Sequence, residues 1–161
     1  VYYGHIGGGG GYAKKFLDVS SISSATITVG AGGAGVATAG TPNAGGASSW
    51  ADGTNTVTGN GGPAGSPNRS DTTFRGSAGG TATGGDINIQ GGPSSSHYLD
   101  QGAFGTSVLG TPGYGLSATN TIYPSTSLQD ATGYGAGGGG TWWSATSGSG
   151  SDGIVIVWEY K

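Results

Sequence analysis

Five consecutive glycines at Gly7–Gly11 and four more at Gly137–Gly140 set the main constraint on how this chain can fold. A glycine run has no side chains to bury and the largest backbone entropy to lose, so it orders only where backbone packs directly on backbone. The chain has 39 Gly and 6 Pro among 161 residues, a share of about 28% that ordinarily marks low complexity. Hydrophobic residues make up 33%, which leaves a conventional core thin. Stabilisation must then come from backbone hydrogen bonds, aromatic contacts or association between copies of the chain. No glycine segment keeps the strict third-residue period of collagen. The physical form available is an extended left-handed helix of the polyproline II type. It has no internal hydrogen bonds, and its N–H and C=O groups point sideways to neighbouring segments. Close lateral approach also brings Cα–H groups against carbonyls.

Charge narrows the function classes. Five Lys and Arg stand against eight Asp and Glu, a formal net charge of −3, so there is no basic patch to meet phosphate backbones and nucleic-acid binding is not expected. The longest continuous apolar run, Ile154–Trp158, is far shorter than a membrane span. With 0 Cys there are no disulfides and no thiolate metal sites. With 0 Met, also at position 1, the sequence is expected to be a processed or excised piece of a longer chain. Few charges, no sulfur and abundant Gly, Ser, Thr and Ala suit an extracellular protein.

Helical periodicity is almost absent, and the apolar spacing predicts strands. Alternation over Ala13–Val19 and Ala25–Val29 predicts two strands joined as a hairpin by 20–24, with Ile27 and Val29 inward and Thr26 and Thr28 outward. Asn55–Thr58 and Asp86–Gln90 are shorter candidates, with Ile87 and Ile89 on one face. The run Gly153–Tyr160 (GIVIVWEY) predicts a central strand covered on both faces. Glycine segments fill the intervals at 30–35, 45–46, 59–65, 76–85 and 133–140. Two stretches poor in glycine, 66–75 and 93–131, carry Asn, Ser, Thr, Asp and Pro with the single aromatics Phe74, Tyr98, Phe104, Tyr114 and Tyr123. They read as surface loops on a rigid scaffold, where recognition usually sits. The expected architecture is mainly β, a small β-sandwich with polyglycine segments and long loops, in one domain over 1–161.

Motifs for chemistry do not hold together. Gly30, Gly32 and Gly35 spell G-x-G-x-x-G after a strand, with Asp52 downstream. A dinucleotide site needs a following helix to meet the pyrophosphate, and Val36–Ala47 cannot supply one. Ser94, Ser95 and Ser96 beside His97 and Asp100 contain the residue types of a triad but no glycine-flanked nucleophile elbow. Asp18, Asp52, Asp71, Asp86, Asp100, Asp130 and Asp152 are scattered, which suits turn caps rather than paired glycosidase carboxylates. Asp86 and Asn88 lack the further ligands of a calcium loop, and Asn68-Arg69-Ser70 is one glycosylation sequon. The chain is read as non-enzymatic, without cofactor or metal.

The aromatics carry more information. Trp50 and Trp158 suit covering backbone that lacks side chains of its own. Trp142 and Trp143 are adjacent, so in an extended segment they point to opposite sides and one must reach a surface or a partner. Exposed Tyr and Trp give large contact area with few rotatable bonds, which makes Tyr98, Tyr114, Tyr123 and Trp143 the candidate receptor-binding residues.

The blocks GGGGGYAKKFLDV, ATITVGAGGAG, GGASSW, GDINIQGG, ATGYGAGGGG and the terminal GIVIVWEY, in this order, resemble the glycine-rich domain found at distal ends of tailed-bacteriophage tail fibres and adhesins. The resemblance spans nearly the whole chain and implies a mainly β domain with glycine-rich coils, the C-terminal part of a longer fibre chain. It also implies a virion location and attachment to the bacterial surface through a glycan or an outer-membrane protein, in a homotrimer without membrane insertion. Family members carry an apolar strand before the first glycine run. Here VYYGHI stands in that place, implying that the strand is truncated or supplied differently. Regions 66–75 and 93–131 match no common pattern and are where host specificity is expected. The family has no catalytic set to transfer. A structural subunit of an extracellular filament or virion decoration is the alternative, with the loop aromatics buried between subunits.

Overall fold

The computed structural model describes residues 6–36, 41, 43–65, 77–94, 105–113, 130–140 and 146–160. The described residues form no helix and eight short strands: β1 (Tyr12–Lys14), β2 (Thr26–Thr28), β3 (Ser48–Ala51), β4 (Thr56–Gly59), β5 (Ala82–Thr83), β6 (Ile87–Ile89), β7 (Leu109–Thr111) and β8 (Thr132–Tyr134). They pair antiparallel in three sheets, β1-β6, β2-β3-β4-β5 and β7-β8. β1 lies against β4 and β5, so the first two sheets touch. The fold is mainly β, as the alternation and the missing helical period require.

Between the strands, the glycine segments bond to one another with a period of three. Along 7–11, Gly7 donates to the Gly138 carbonyl at 3.3 Å and Gly10 to Gly135 at 2.6 Å. Gly8 donates to Pro63 at 3.2 Å, Gly11 to Asn60 at 2.9 Å, and Gly9 to Gly92 at 2.9 Å. Each step along the segment turns to a different neighbour, and every third residue returns to the same one three positions back. That is the signature of three residues per turn in an antiparallel neighbourhood. The same register recurs along 147–153. Ser147, Gly150 and Gly153 donate to Val36, Gly33 and Gly30, while Gly148 and Ser151 donate to Gly139 and Ala136.

Close approach explains why these positions are glycine. A Cβ on Gly9 would overlap the Thr106 carbonyl, one on Gly8 the Ala78 carbonyl and one on Gly11 the Thr81 carbonyl. The Cα–H groups therefore aim at carbonyl oxygens of a further layer. Gly7 differs: a Cβ there would sit 3.8 Å from the nearest backbone atoms, an ordinary contact. The only large or small hydrophobic residues fully buried among those described are Ile6 and Ala136. The interior is main chain.

Register also gives the bundle two ends. Residues 6–11, 43–47 and 77–81 run into β1, β3 and β5, while β2, β4 and β6 run into 30–36, 60–65 and 90–94. The antiparallel bonds among these segments place β1–β6 together at one end, the strand end. Gly153 bonds Gly30 at 2.8 Å, so residues 154–160 leave at that end too.

Four expectations are corrected here. β1 covers only Tyr12–Lys14 of the expected 13–19 strand and pairs with β6, not β2: Tyr12 faces Ile89 and Lys14 faces Ile87. A glycine segment that traverses the bundle brings distant strands side by side, so nearness in sequence does not choose the partner. Ile27 and Val29 do not point inward, being 53% and 56% exposed. The 153–160 run forms no strand and is not covered: Ile156, Val157 and Trp158 are 49%, 50% and 66% exposed. Trp158 therefore does not cover backbone, whereas Trp50 on β3 is half-buried between Ile27 of β2 and Val57 of β4. Strand propensity makes a segment ready to pair but does not provide the partner.

Candidate functional site

The opposite end gathers the described residues that flank four further segments of the chain. Gly65 and Ser77 flank 66–76, Ser94 and Gly105 flank 95–104, and Gly140 and Thr146 flank 141–145. Gly113 and Asp130 flank 114–129; Gly113 bonds Gly137 at 3.0 Å and Ala131 bonds Ser149 at 2.9 Å, which places both flanks near this same end. Tyr98, Tyr114, Tyr123 and Trp143, with Phe74, Phe104, Trp142, His5, His97, Asn68, Asp71 and Asp100, lie outside the described residues. What the structure places is the set of stems that carry them, and those stems share one end.

The stems are locked by a buried polar node. The Ser94 hydroxyl donates to the Ile6 carbonyl at 2.7 Å and accepts the Ser77 amide at 2.9 Å. The Ser94 amide donates to the Ser77 carbonyl at 2.8 Å. The Ser77 hydroxyl in turn donates to the Pro63 carbonyl at 3.1 Å. Ser77 and Ser94 are 8% and 3% exposed, and at such burial an unmatched hydroxyl or amide would be costly. Ser94 thus acts as a structural bridge between two loop stems. Sequence reading named it only in the company of His97. The available signal was a mirror pattern: Ser77-x-Gly79-Gly80 on one segment and Gly91-Gly92-x-Ser94 on its neighbour.

Hydroxyls and carboxylates elsewhere take the place of backbone acceptors. Gly30, Gly32 and Gly35 donate their amides to Ser48 Oγ at 3.0 Å, Asp152 Oδ1 at 2.7 Å and Ser149 Oγ at 3.1 Å. These are the amides that a dinucleotide fingerprint would turn to a phosphate, and here they are occupied. Every described aspartate accepts a main-chain amide. Asp18 accepts from Ser20, Asp52 from Thr54 and Asn55, Asp86 from Phe16, Asp130 from Ser149 and Asp152 from Gly32. The turn-cap reading holds for Asp18 and Asp52. The backbone amide of Asn55, its side-chain amide and the backbone amide of Thr54 lower the Asp52 pKa; the Ser20 backbone amide and hydroxyl do the same for Asp18. No metal-holding group of His, Asp and Glu occurs among the described residues.

The described floor of the loop end is consequently small and mostly uncharged: Ile6, Gly65, Ser77, Ser94, Gly105, Gly113, Gly140 and Thr146, with Asp130 at one margin. Such a floor supplies stiffness and little chemistry of its own. A search of curated proteins found no match to the chain. The sequence model of the glycine-rich domain family matches residues 1–160, the length over which the glycine segments and their strands alternate, and the chain belongs to that family.

Proposed function

We propose that this chain is a bacteriophage tail-fibre tip domain that attaches the virion to the host cell surface by non-covalent binding at the loop end. The observation that carries the reading is the common position of the stems: the described residues flanking the segments that bear Tyr98, Tyr114 and Tyr123, and Trp143 all lie at one end of the bundle. Aromatic side chains raised on a stiff base offer contact area at small entropic cost. The partner is a bacterial surface glycan or outer-membrane protein, met outside the cell without insertion into the membrane and without a catalytic step. Several copies on one virion turn modest single-site affinity into firm attachment through effective concentration.

The test is a cell-binding assay with the labelled domain, comparing wild type with Tyr98, Tyr114, Tyr123 and Trp143 each changed to Ala. Binding that falls by tenfold or more supports the reading, on the scale of about 1.4 kcal/mol per tenfold. Unchanged binding by a folded variant removes these residues from the site. The exposed apolar strand end favours a second reading, a structural subunit of an extracellular filament or virion decoration. In that case the same loop aromatics would be protected in the assembled particle and the domain would bind no cells.

A further inference from the structure

Thirteen large hydrophobic residues are exposed among those described, and ten of them gather at the strand end: Phe16 and Val19 after β1, Ile27 on β2 and Val29 just after it, Ile87 and Ile89 on β6, and Ile156, Val157, Trp158 and Tyr160 in the final segment. Their exposures run from 44% at Ile89 to 85% at Tyr160. Phe16 is tied to this end by its amide, which donates to Asp86 Oδ2 at 2.8 Å. Among the described residues the backbone here is unpaired as well. β2 is one of the two edge strands of its sheet. Beyond the Gly153–Gly30 bond, residues 154–160 make no backbone bond to a described residue. An apolar, β-prone run whose amides and carbonyls meet no described partner is a template for another strand.

We propose that two copies of this chain associate through their strand ends, with residues 154–158 of each pairing antiparallel about a two-fold axis. The area is sufficient. Phe16, Trp158 and Tyr160 alone offer roughly 400 Å² at about 200 Å² for a whole aromatic side chain. The seven half-exposed aliphatic chains add roughly 300 Å², so one copy offers close to the ~800 Å² that a partner contributes to a standard interface. The run is self-complementary. Centred on Ile156, the pairing sets Ile154 against Trp158 and Val155 against Val157, and it places Glu159 opposite Gly153, away from its own copy. Lys14 and Lys15 share this end with Asp18, Asp86 and Glu159, so no single-sign field opposes the approach. A two-fold contact of this kind uses the same patch on both copies. It deepens the multi-copy part of the proposed function and does not depend on receptor binding at the loop end.

Sedimentation of the 161-residue chain across the micromolar range tests this. Wild type is expected to be a dimer. Val157→Pro removes an amide with no described partner inside the protomer and is expected to weaken dimerisation by roughly a hundredfold or more, with melting of the isolated protomer unchanged. Thr146→Lys, an exposed residue at the loop end, is expected to leave the dimer intact. A wild-type chain that stays monomeric, or forms trimers, overturns the two-fold pairing. So does a Val157→Pro variant that remains dimeric. Loss of cell binding by the loop-aromatic variants with dimerisation intact separates this proposal from the receptor reading.

Discussion

The glycine bundle buries main chain against main chain, while the strand end leaves Phe16 and Trp158 71% and 66% exposed. In the first region every amide from Gly7 to Gly11 has a partner on a neighbouring segment, and the absence of side chains lets a carbonyl close on the Cα of Gly8, Gly9 and Gly11. In the second, side chains of the kind that normally build a core have no core to enter. Order in this protein is therefore not a measure of apolar burial. A backbone hydrogen bond adds only about 1 kcal/mol net, so the bundle must hold by many such bonds at once. One disturbed segment should be felt by several neighbours.

That contrast can be broken most directly at Gly9. Gly9→Ala drives a methyl into the Thr106 carbonyl and is expected to destabilise by about 3 kcal/mol or more, read as a collapse of the denaturation midpoint. Ser94→Ala, which strips the Ser77 amide and the Ile6 carbonyl of their partner, is expected to cost about 1–3 kcal/mol. Gly7→Ala is the matched control in the same segment: its Cβ finds space, and the reduced freedom of the unfolded chain is expected to leave stability level or raised by up to about 1 kcal/mol. A loss at Gly7 as large as at Gly9 would refute the layered packing. At the strand end, Trp158→Ala is expected to change the stability of the isolated protomer by less than about 0.5 kcal/mol.

The smallest effect belongs to pH. Asp52 accepts amides in the β3–β4 turn that hold its pKa below the ordinary value. A group with a lowered folded pKa adds stability above its unfolded pKa and loses it as pH falls through the folded one. Asp52→Ala is thus expected to be slightly less stable than wild type at neutral pH, and the gap should close below about pH 4. A gap that persists in strong acid would mean that the carboxylate is not the cause.

Sequence reading recovered the parts of this fold that side chains announce. β2, β4 and β6 alternate Thr or Asn with Ile or Val, and the structure pairs them as strands. The strands Ser48–Ala51, Ala82–Thr83, Leu109–Thr111 and Thr132–Tyr134 were missed because Ser, Ala and Gly carry no period to detect. Packing of glycine on glycine was legible from composition. Its register was not, since which glycine faces which carbonyl depends on neighbours up to 131 positions away, as with Gly7 and Gly138. At the site, the loop aromatics could be named from Tyr and Trp placement, whereas the node of Ser77 and Ser94 left only its mirrored spacing about two glycine pairs as a trace. A serine flanking a glycine pair looks the same whether it bridges two segments or faces water.

The period-three bonding has a consequence for how such a chain can change length. Removing one residue from 7–11 would rotate the downstream amides by a third of a revolution and misdirect each of them. Removing a triplet would restore their phase and only shorten the rod. The bundle should therefore accept insertions and deletions in threes, while the segments beyond its stems can vary by any number without disturbing it.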